Sequence, residues 1–380
     1  MLLIKNAELY TPAYAGRKDI LICGGKIEQI ADRICVPCNL CRVLDAKGKY
    51  VIPGFIDQHV HITGGGGEGG FHTRTPELQL SELIEGGVTT VVGLLGTDGS
   101  TRSMENLYAK TMALNEEGVT AYLLTGAYPY PGPSITGGPG RDIMFIEKVL
   151  GAKLALSDHR SSNITSKELI CMGSDVRVSG MLSGKPGFIT LHMGSGKHGL
   201  KPVFEALETS DIPIGVFRPT HVGRCPELLE EAYTLLGMGG YIDFTCGSRK
   251  FGKPGLAILE AIERGLPTGK ITVSSDGHGS WSRYSDTGEL LQIGVSRVDA
   301  MMLEFCHMVR QQKFSVESAL PYFTENVAKA LGLQGKKGTI RPQADADLLI
   351  LNPDLSLDTV IAGGTSLMES GKLLRKGTYE

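Results

Sequence analysis

The sequence predicts an α/β protein: a TIM-type (β/α)8 barrel with a small β-sandwich domain formed from both chain ends. Three observations predict this fold. Eight short apolar runs alternate with longer amphipathic segments through the middle of the chain, a pattern typical of repeated βα units and a parallel sheet. Both chain ends carry short strand-like runs separated by turn residues instead. Side chains able to do chemistry follow most of the eight runs, and in a barrel those positions converge on one face.

The small domain is predicted to combine residues 1–50 with residues 336–380. Its clearest element is a hairpin, because two strand-like runs flank Gly24-Gly25. The strands expected near the two chain ends are Asp19–Cys23, Lys26–Ile30, Asp347–Leu351 and Thr359–Ala362. Since chain ends often lie close together, the intervening sequence is expected to fold as a separate unit.

That intervening unit, residues 51–335, is predicted to be the barrel. Its eight strands are expected at Val51–Ile56, Thr89–Leu95, Ala121–Leu124, Ala152–Leu156, Phe188–Leu191, Ile214–Phe217, Tyr241–Phe244 and Ile271–Ser274. Segments between them, such as Pro76–Gly86 and Ser103–Gly118, have apolar residues at helical spacing and end at glycine, which favours helices. Strand counting leaves an open doubly wound sheet as the alternative.

Composition excludes several classes of function. The 380 residues are 41% hydrophobic and 21% charged, as in ordinary globular proteins, and no apolar stretch approaches the roughly 18 residues of a membrane span. The net charge of -3 includes no basic block, so neither nucleic acid nor a membrane is an expected partner. Met1–Asn6 does not resemble a signal peptide, which predicts a cytoplasmic protein with reduced cysteines. Cys35, Cys38 and Cys41 lack the fourth cysteine of an iron–sulfur run and predict a surface turn.

Four histidines and one aspartate form the candidate metal site. His59 and His61 are two residues apart, so both imidazoles lie on one face of a strand and can reach one ion. His192, His221 and Asp276 each follow a different apolar run. These five ligands could hold two ions but leave the ions without a bridging group.

Lys153 can supply that bridge. It lies within the apolar run Gly151–Leu156, where burial of an ammonium group is costly. Desolvation would lower the lysine pKa and leave a nucleophilic free amine, which can capture carbon dioxide as a bidentate carbamate. The alternative is a lysine that extends to the barrel rim or pairs with an acidic residue.

Several motifs now show a family resemblance. The segment Val51–His61, the barrel ligands and the closing Ala344–Ile350 resemble the amidohydrolase superfamily along nearly the whole chain. More narrowly, the sequence resembles the isoaspartyl dipeptidase family in the motifs Gly64–Glu68, Leu94–Asp98, Leu124–Tyr128, Ser157–Arg160, Pro219–Val222 and Ser274–Gly277.

The resemblance implies two Zn²⁺ ions per subunit, bridged by a carbamate on Lys153. It assigns the first ion to His59, His61 and Asp276, and the second to His192 and His221. The paired cations would lower the pKa of a bridging water and supply hydroxide at neutral pH. Asp276 would take up the water proton and deliver it to the leaving amine. Tyr128, with one zinc ion, would stabilise the oxyanion.

The resemblance further implies hydrolysis of β-aspartyl dipeptides by an enzyme that self-associates into a homo-oligomer. It assigns substrate contacts to Glu68, Thr97, Arg160, Arg224 and Ser280. Glu68 would bind the α-amine, and the arginines would bind carboxylates. The alternative is another binuclear amidohydrolase, an N-acyl-amino-acid deacylase or a cyclic-amide hydrolase, although an uncharged ring offers no counter-ions for these side chains. A non-catalytic barrel protein would lack a ligand, and none is missing.

Overall fold

A computed structural model describes residues 1–37, 40–247, 253–285 and 287–380. The amino-terminal part forms five strands, β1 (Leu2–Tyr10), β2 (Tyr14–Cys23), β3 (Lys26–Ala31), β4 (Arg42–Asp45) and β5 (Tyr50–Pro53). The turn Gly24-Gly25 joins β2 to β3 as an antiparallel pair, as the sequence predicts. Cys38 of the three-cysteine cluster lies outside the described residues.

The barrel follows with eight parallel strands. They are β6 (Phe55–Val60), β7 (Val88–Gly93), β8 (Thr120–Gly126), β9 (Val149–Leu156), β10 (Ile189–Met193), β11 (Phe217–Thr220), β12 (Ile242–Thr245) and β13 (Ile271–Ser274). The strands pair in sequence order. The ring closes where Val60 bridges Gly277 in parallel and the His61 amide donates to the Gly277 carbonyl at 2.8 Å. This closure confirms the barrel over the open doubly wound sheet.

Two of the expected barrel strands begin later in the chain than the sequence predicts. The apolar run Val51–Ile56 is divided between β5 and β6, which belong to different sheets. The division falls at Gly54. A Cβ there would lie only 2.2 Å from Thr89 Oγ1, so no residue larger than glycine fits at the boundary between the two strands. The strand expected at Ile214–Phe217 begins only at Phe217, because a 3-10 turn occupies Ile214–Val216.

Helices cover the outside of the barrel. They are α1 (Leu80–Glu85), α2 (Met104–Glu117), α3 (Pro139–Phe145), α4 (Ser166–Ser183), α5 (Lys201–Thr209), α6 (Pro226–Gly237), α7 (Pro254–Glu263), α8 (Ala300–Gln311), α9 (Val316–Ala319) and α10 (Glu325–Ala330). Local sequence sets their ends: α4 begins with a capping box between Thr165 and Glu168 and ends at the left-handed Gly184. Within the described chain, no helix combines the length and apolar character that a membrane crossing requires.

The remaining strands belong to the barrel face and to the small domain. A hairpin of β14 (Ser280–Tyr284) and β15 (Leu290–Val295) follows β13 at the carboxyl face of the barrel. The chain end adds β16 (Leu348–Leu351), β17 (Leu357–Ala362), β18 (Thr365–Glu369) and β19 (Lys372–Leu373). Because β5 pairs with both β1 and β16, the two chain ends share one nine-stranded sheet. The predicted sandwich domain from both ends is thereby confirmed. Buried Lys337 links it to the barrel, donating to Asp347 Oδ2 and Thr120 Oγ1.

Candidate active site

The six predicted metal ligands lie together at the carboxyl ends of five barrel strands. His59 and Lys153 are within β6 and β9, and His192 is within β10. The other three follow the ends of β6, β11 and β13. All six are buried, with exposed fractions of 9% or less, namely His59, His61, Lys153, His192, His221 and Asp276. The barrel therefore brings together predicted ligands from strands more than 200 residues apart in the chain.

Short distances connect this cluster. Asp276 Oδ1 lies 3.4 Å from His59 Nε2 and 3.3 Å from His61 Nε2. Lys153 Nζ lies 3.1 Å from His59 Nε2. The ring of His221 extends the cluster, with centroids 4.9 Å from His59 and 4.6 Å from His192. Each predicted ligand thus contacts at least one other.

The unsatisfied polar atoms of the cluster suit a cation. Among the described residues, the buried His221 Nε2 has no hydrogen-bond partner, and the Nε2 atoms of His59 and His61 both face Asp276 Oδ1. Ligand atoms of His59, His221 and Asp276 all lie within 4.8 Å of one another. Buried ring nitrogens without partners are costly, and mixed imidazole and carboxylate sets are typical zinc ligands. The residues present therefore fit a metal ion.

Burial also favours the protonation states that bind metal. It lowers the pKa of His59, His192 and His221 well below the usual histidine value, so these rings are neutral at pH 7, as metal ligation requires. Burial likewise lowers the pKa of Lys153 to about 7, against an opposing effect of the Asp276 charge. A substantial fraction of this lysine is then a free amine at neutral pH.

The backbone and a neighbouring hydroxyl fix two of the ligands. His221 and Asp276 adopt the left-handed conformation, with φ of 62° and 56°, which is uncommon for residues other than glycine. His221 Nδ1 lies 2.6 Å from Thr245 Oγ1. That contact orients the ring and leaves Nε2 free to bind a metal ion.

Glu68 connects the predicted substrate-binding residues. Its Oε1 accepts from Thr97 Oγ1 at 3.1 Å and from Arg160 Nη1 at 3.1 Å. Its Oε2 accepts from Ser280 Oγ at 2.9 Å. Four of the five predicted substrate contacts are thus in one hydrogen-bonded group, assembled from the loops after β6, β7, β9 and β13.

Asp158 connects Arg224, the fifth predicted substrate contact, to this hydrogen-bonded group. Its carboxylate accepts from Arg160 Nε at 2.9 Å and Nη2 at 2.8 Å. It also lies 3.8 Å from Arg224 Nη1 and 3.2 Å from His192 Nε2. Burial raises the pKa of Asp158, but hydrogen bonds from Arg160 and His192 outweigh it and hold that pKa well below the usual range. Asp158 is therefore an anion between the ligands and the arginines.

Tyr128 lies against the metal-ligand cluster. Its hydroxyl is 2.6 Å from His192 Nδ1, and its ring is 5.9 Å from Lys153 Nζ. Burial raises the Tyr128 pKa, so the phenol stays protonated at neutral pH. Tyr130, two residues later, instead lines a separate cavity of about 270 Å³.

Comparison with known proteins places this site in a family. The chain is 41% identical to the β-aspartyl dipeptidase of Fervidobacterium islandicum AW-1, whose crystal structure holds a β-Asp-Leu dipeptide. The superposition covers 98% of each chain with a TM-score of 0.93. The chain belongs to the β-aspartyl dipeptidase family of amidohydrolases. It is therefore a hydrolase.

More distant similarities agree with this assignment. Two models described as the amidohydrolase family match residues 42–115 and 221–367 of this amidohydrolase. The dihydroorotase of Elusimicrobium minutum is 26% identical over 92% of this chain and 88% of that protein. The dihydropyrimidinase of Brevibacillus agri NCHU1002 has 16% identity and a TM-score of 0.69, covering 99% of this chain and 96% of that one, which shows a shared fold.

A cavity of about 570 Å³ opens beside the predicted ligands of this amidohydrolase. Asp276, His221 and Asp158 line it on the ligand side, and Trp281 and Tyr284 line it from the β14–β15 hairpin. Residues 248–252, between Gly247 at this cavity and Lys253, lie outside the described residues. The cavity is large enough for a dipeptide.

Sequence reasoning did not assign two residues near this site. Asp158 had a signal, since it lies in the motif Ser157–Arg160 directly after a barrel strand. His278 had one too, since its place between Asp276 and Ser280 suggests a ligand, a proton carrier or a solvated loop histidine. The last interpretation, which the sequence favours, is wrong, because the side chain is buried. Its ring binds away from the predicted ligands: Nδ1 is 2.9 Å from the Pro76 carbonyl and Nε2 is 3.0 Å from Glu82 Oε1. His278 thus holds the loop after β13 against the segment that leads into α1.

Proposed function

We propose that this amidohydrolase is a zinc-dependent β-aspartyl dipeptidase. It cleaves the amide between the β-carbonyl of an aspartyl residue and the amine of the next residue. The observation that carries the proposal is the group of charges beside the metal-ligand cluster, in which Glu68 contacts Arg160, Ser280 and Thr97. The 41%-identical relative, which was crystallised with β-Asp-Leu, supports the same substrate class.

The charges of the site match those of the substrate. A β-aspartyl dipeptide has an α-amine and an α-carboxylate on its aspartyl residue and a second carboxylate on the leaving residue. Glu68 offers an anion for the amine, and Arg160 and Arg224 offer forks for the carboxylates. A cyclic amide lacks the free α-amine, and an N-acyl-amino acid does not require one. These alternatives therefore offer Glu68 no ammonium partner beyond the Arg160 guanidinium that it already contacts.

The proposed metal site holds two Zn²⁺ ions per subunit on the six clustered ligands. The free amine of Lys153 would add to carbon dioxide, forming one N–C bond and releasing one proton, and the resulting carbamate would offer two oxygens as ligands. When bound, the zinc ions would supply a hydroxide nucleophile at neutral pH and polarise the scissile carbonyl.

The side chains of the chain itself carry the remaining steps. Asp276 contacts both His59 and His61 and borders the cavity, where its carboxylate would accept the proton of the nucleophile and transfer it to the leaving amine. The protonated Tyr128 hydroxyl would donate a hydrogen bond to the oxyanion. Glu68 and the arginines would hold the substrate so that its β-carbonyl faces these groups.

The first test is the metal content per chain of the purified protein, combined with hydrolysis of β-Asp-Leu and α-Asp-Leu. We expect two zinc ions and cleavage of the β-linked dipeptide alone. Two metals without β-cleavage would contradict the substrate and direct the search to other amides. Absence of both metal and activity would contradict the enzyme assignment for this site.

Glu68→Gln tests the amine contact. The substitution keeps the shape of the side chain but removes its charge, so we expect kcat/KM on β-Asp-Leu to fall about 10- to 100-fold through a higher KM, as loss of a charge-assisted bond predicts. N-succinyl-leucine is β-Asp-Leu without the α-amine, and its KM should change less than about threefold. Equal losses on the two compounds would show that Glu68 does not bind the amine.

A further inference from the structure

Arg102 is a buried cation outside the groups discussed so far. It lies between β7 and α2, and only 5% of its surface is exposed. Among the described residues its guanidinium makes no ion pair. It donates to three backbone carbonyls instead: Thr63, Gly65 at 3.1 Å and Thr75 at 2.8 Å. The two Nη atoms make all of these bonds, while the buried Nε has no hydrogen-bond partner among the described residues. A buried guanidinium whose hydrogen bonds all go to the carbonyls of one segment indicates that it organises that segment.

The segment in question is the loop of residues 63–75, which we call the glycine loop. It begins two residues after His61 and supplies the three acceptors at its two ends, so one guanidinium holds both ends together. The packing is tight: a Cβ on Gly64 would lie 2.9 Å from Arg102 Nη1 and 2.4 Å from the Thr75 carbonyl. Phe71, the largest apolar side chain of the loop, is 83% exposed. Hydrogen bonds therefore shape this loop more than apolar packing does.

Glu68 lies at the middle of the glycine loop, and the backbone of the loop determines where its carboxylate reaches. Thr75 continues the connection, because its hydroxyl accepts from the Gly65 amide at 2.6 Å and donates to the His278 carbonyl at 2.7 Å. Arg102 thus contacts the two ends of the glycine loop. Glu68, in the middle of the loop, makes the contacts with Thr97, Arg160 and Ser280.

We propose that Arg102 is a positioning residue: it holds the glycine loop so that Glu68 can bind the α-amine of the substrate. The proposal rests on the function proposed above, and it adds a determinant of amine recognition that touches neither substrate nor metal. Without the guanidinium, the two ends of the glycine loop would keep only their direct hydrogen bonds between Gly65 and Thr75. The loop would then shift, and Glu68 would lose its alignment with the amine. The defect should therefore be specific for ligands that carry the amine.

The experiment compares Arg102→Met and Arg102→Lys with the wild type. Arg297→Met is the matched control, because the side chain of Arg297 is 77% exposed and pairs only with Asp299 among the described contacts. We expect kcat/KM on β-Asp-Leu to fall about 10- to 100-fold in Arg102→Met through KM, with zinc content unchanged. Arg102→Lys should lose less, since it keeps one charged donor. N-succinyl-leucine, measured as a substrate or a competing ligand, should be affected less than about threefold.

A double-mutant cycle with Glu68→Gln separates positioning from general loss of structure. If Arg102 acts through Glu68, Arg102→Met should cause no further loss in the Glu68→Gln background. A merely structural role predicts the same factor in both backgrounds. Millimolar guanidinium should partly restore the KM of Arg102→Ala at constant kcat, by refilling the space between the three carbonyls.

Several results would overturn the proposal: an unchanged KM, equal losses on both compounds, additive losses in the cycle, or loss of zinc. If Arg102→Met does not fold, the same measurements on Arg102→Lys test the proposal by the same criteria. Failure of the proposed function has a different signature, namely a wild-type enzyme that does not cleave β-Asp-Leu.

Discussion

Replacing Asp276 with asparagine should lower kcat on β-Asp-Leu at least about 1000-fold while the fold is retained. Proton transfer by a positioned side chain contributes about 10²- to 10⁴-fold, and an amide can neither accept the proton nor deliver it. Asparagine is well suited to a test at this position. It has nearly the same volume, and it tolerates the left-handed backbone that Asp276 adopts with φ of 56°. A loss of activity is then chemical rather than conformational.

The measurement is kcat on β-Asp-Leu together with zinc content and thermal unfolding. Asp299→Asn is the control, because Asp299 precedes α8 and pairs with the exposed Arg297. We expect the control to match the wild type and the unfolding temperature of Asp276→Asn to stay close to it. Retention of more than about a tenth of wild-type kcat would contradict the proton-transfer role.

The clustering of the candidate metal ligands was predictable because strand geometry is local. In a strand, residues two apart face the same side, so His59 and His61 had to point together. Residues that follow parallel strands of a barrel meet at one face, which brings His192, His221 and Asp276 to the same place. The structure confirms this convergence of elements in the closed barrel.

Contacts between distant segments were not predictable. Arg102 is isolated in the sequence, and nothing near it indicates that its acceptors lie at Thr63 and Thr75 on a different loop. The division of Val51–Ile56 between two sheets was equally unpredictable. A single short apolar run shows no periodicity that would distinguish two strands from one. The pairing of β5 and β6 in different sheets shows the boundary at Gly54, where a side chain would conflict with Thr89.

Replacing Lys153 with alanine should lower kcat on β-Asp-Leu more than about 100-fold and reduce the zinc content below two ions per chain. Residues that only orient metal ligands already cost about 10- to 100-fold when they are changed, and Lys153 is proposed to bridge both ions. Lys201→Ala is the control, because the side chain of Lys201 is 68% exposed at the start of α5. Its kcat and zinc content should equal those of the wild type.

Rescue by small carboxylates distinguishes a bridging carbamate from a lysine that merely fills space. Lys153 is buried 3.1 Å from His59 Nε2, so its truncation leaves a cavity beside the metal ligands. Acetate or propionate carries the same two oxygens as a carbamate and should enter that cavity, restoring both zinc content and part of kcat. A packing defect would respond equally to acetamide, an amide of equal size that fills the space without supplying an anion. Full zinc content without Lys153, or equal rescue by acetamide, would therefore refute the bridge.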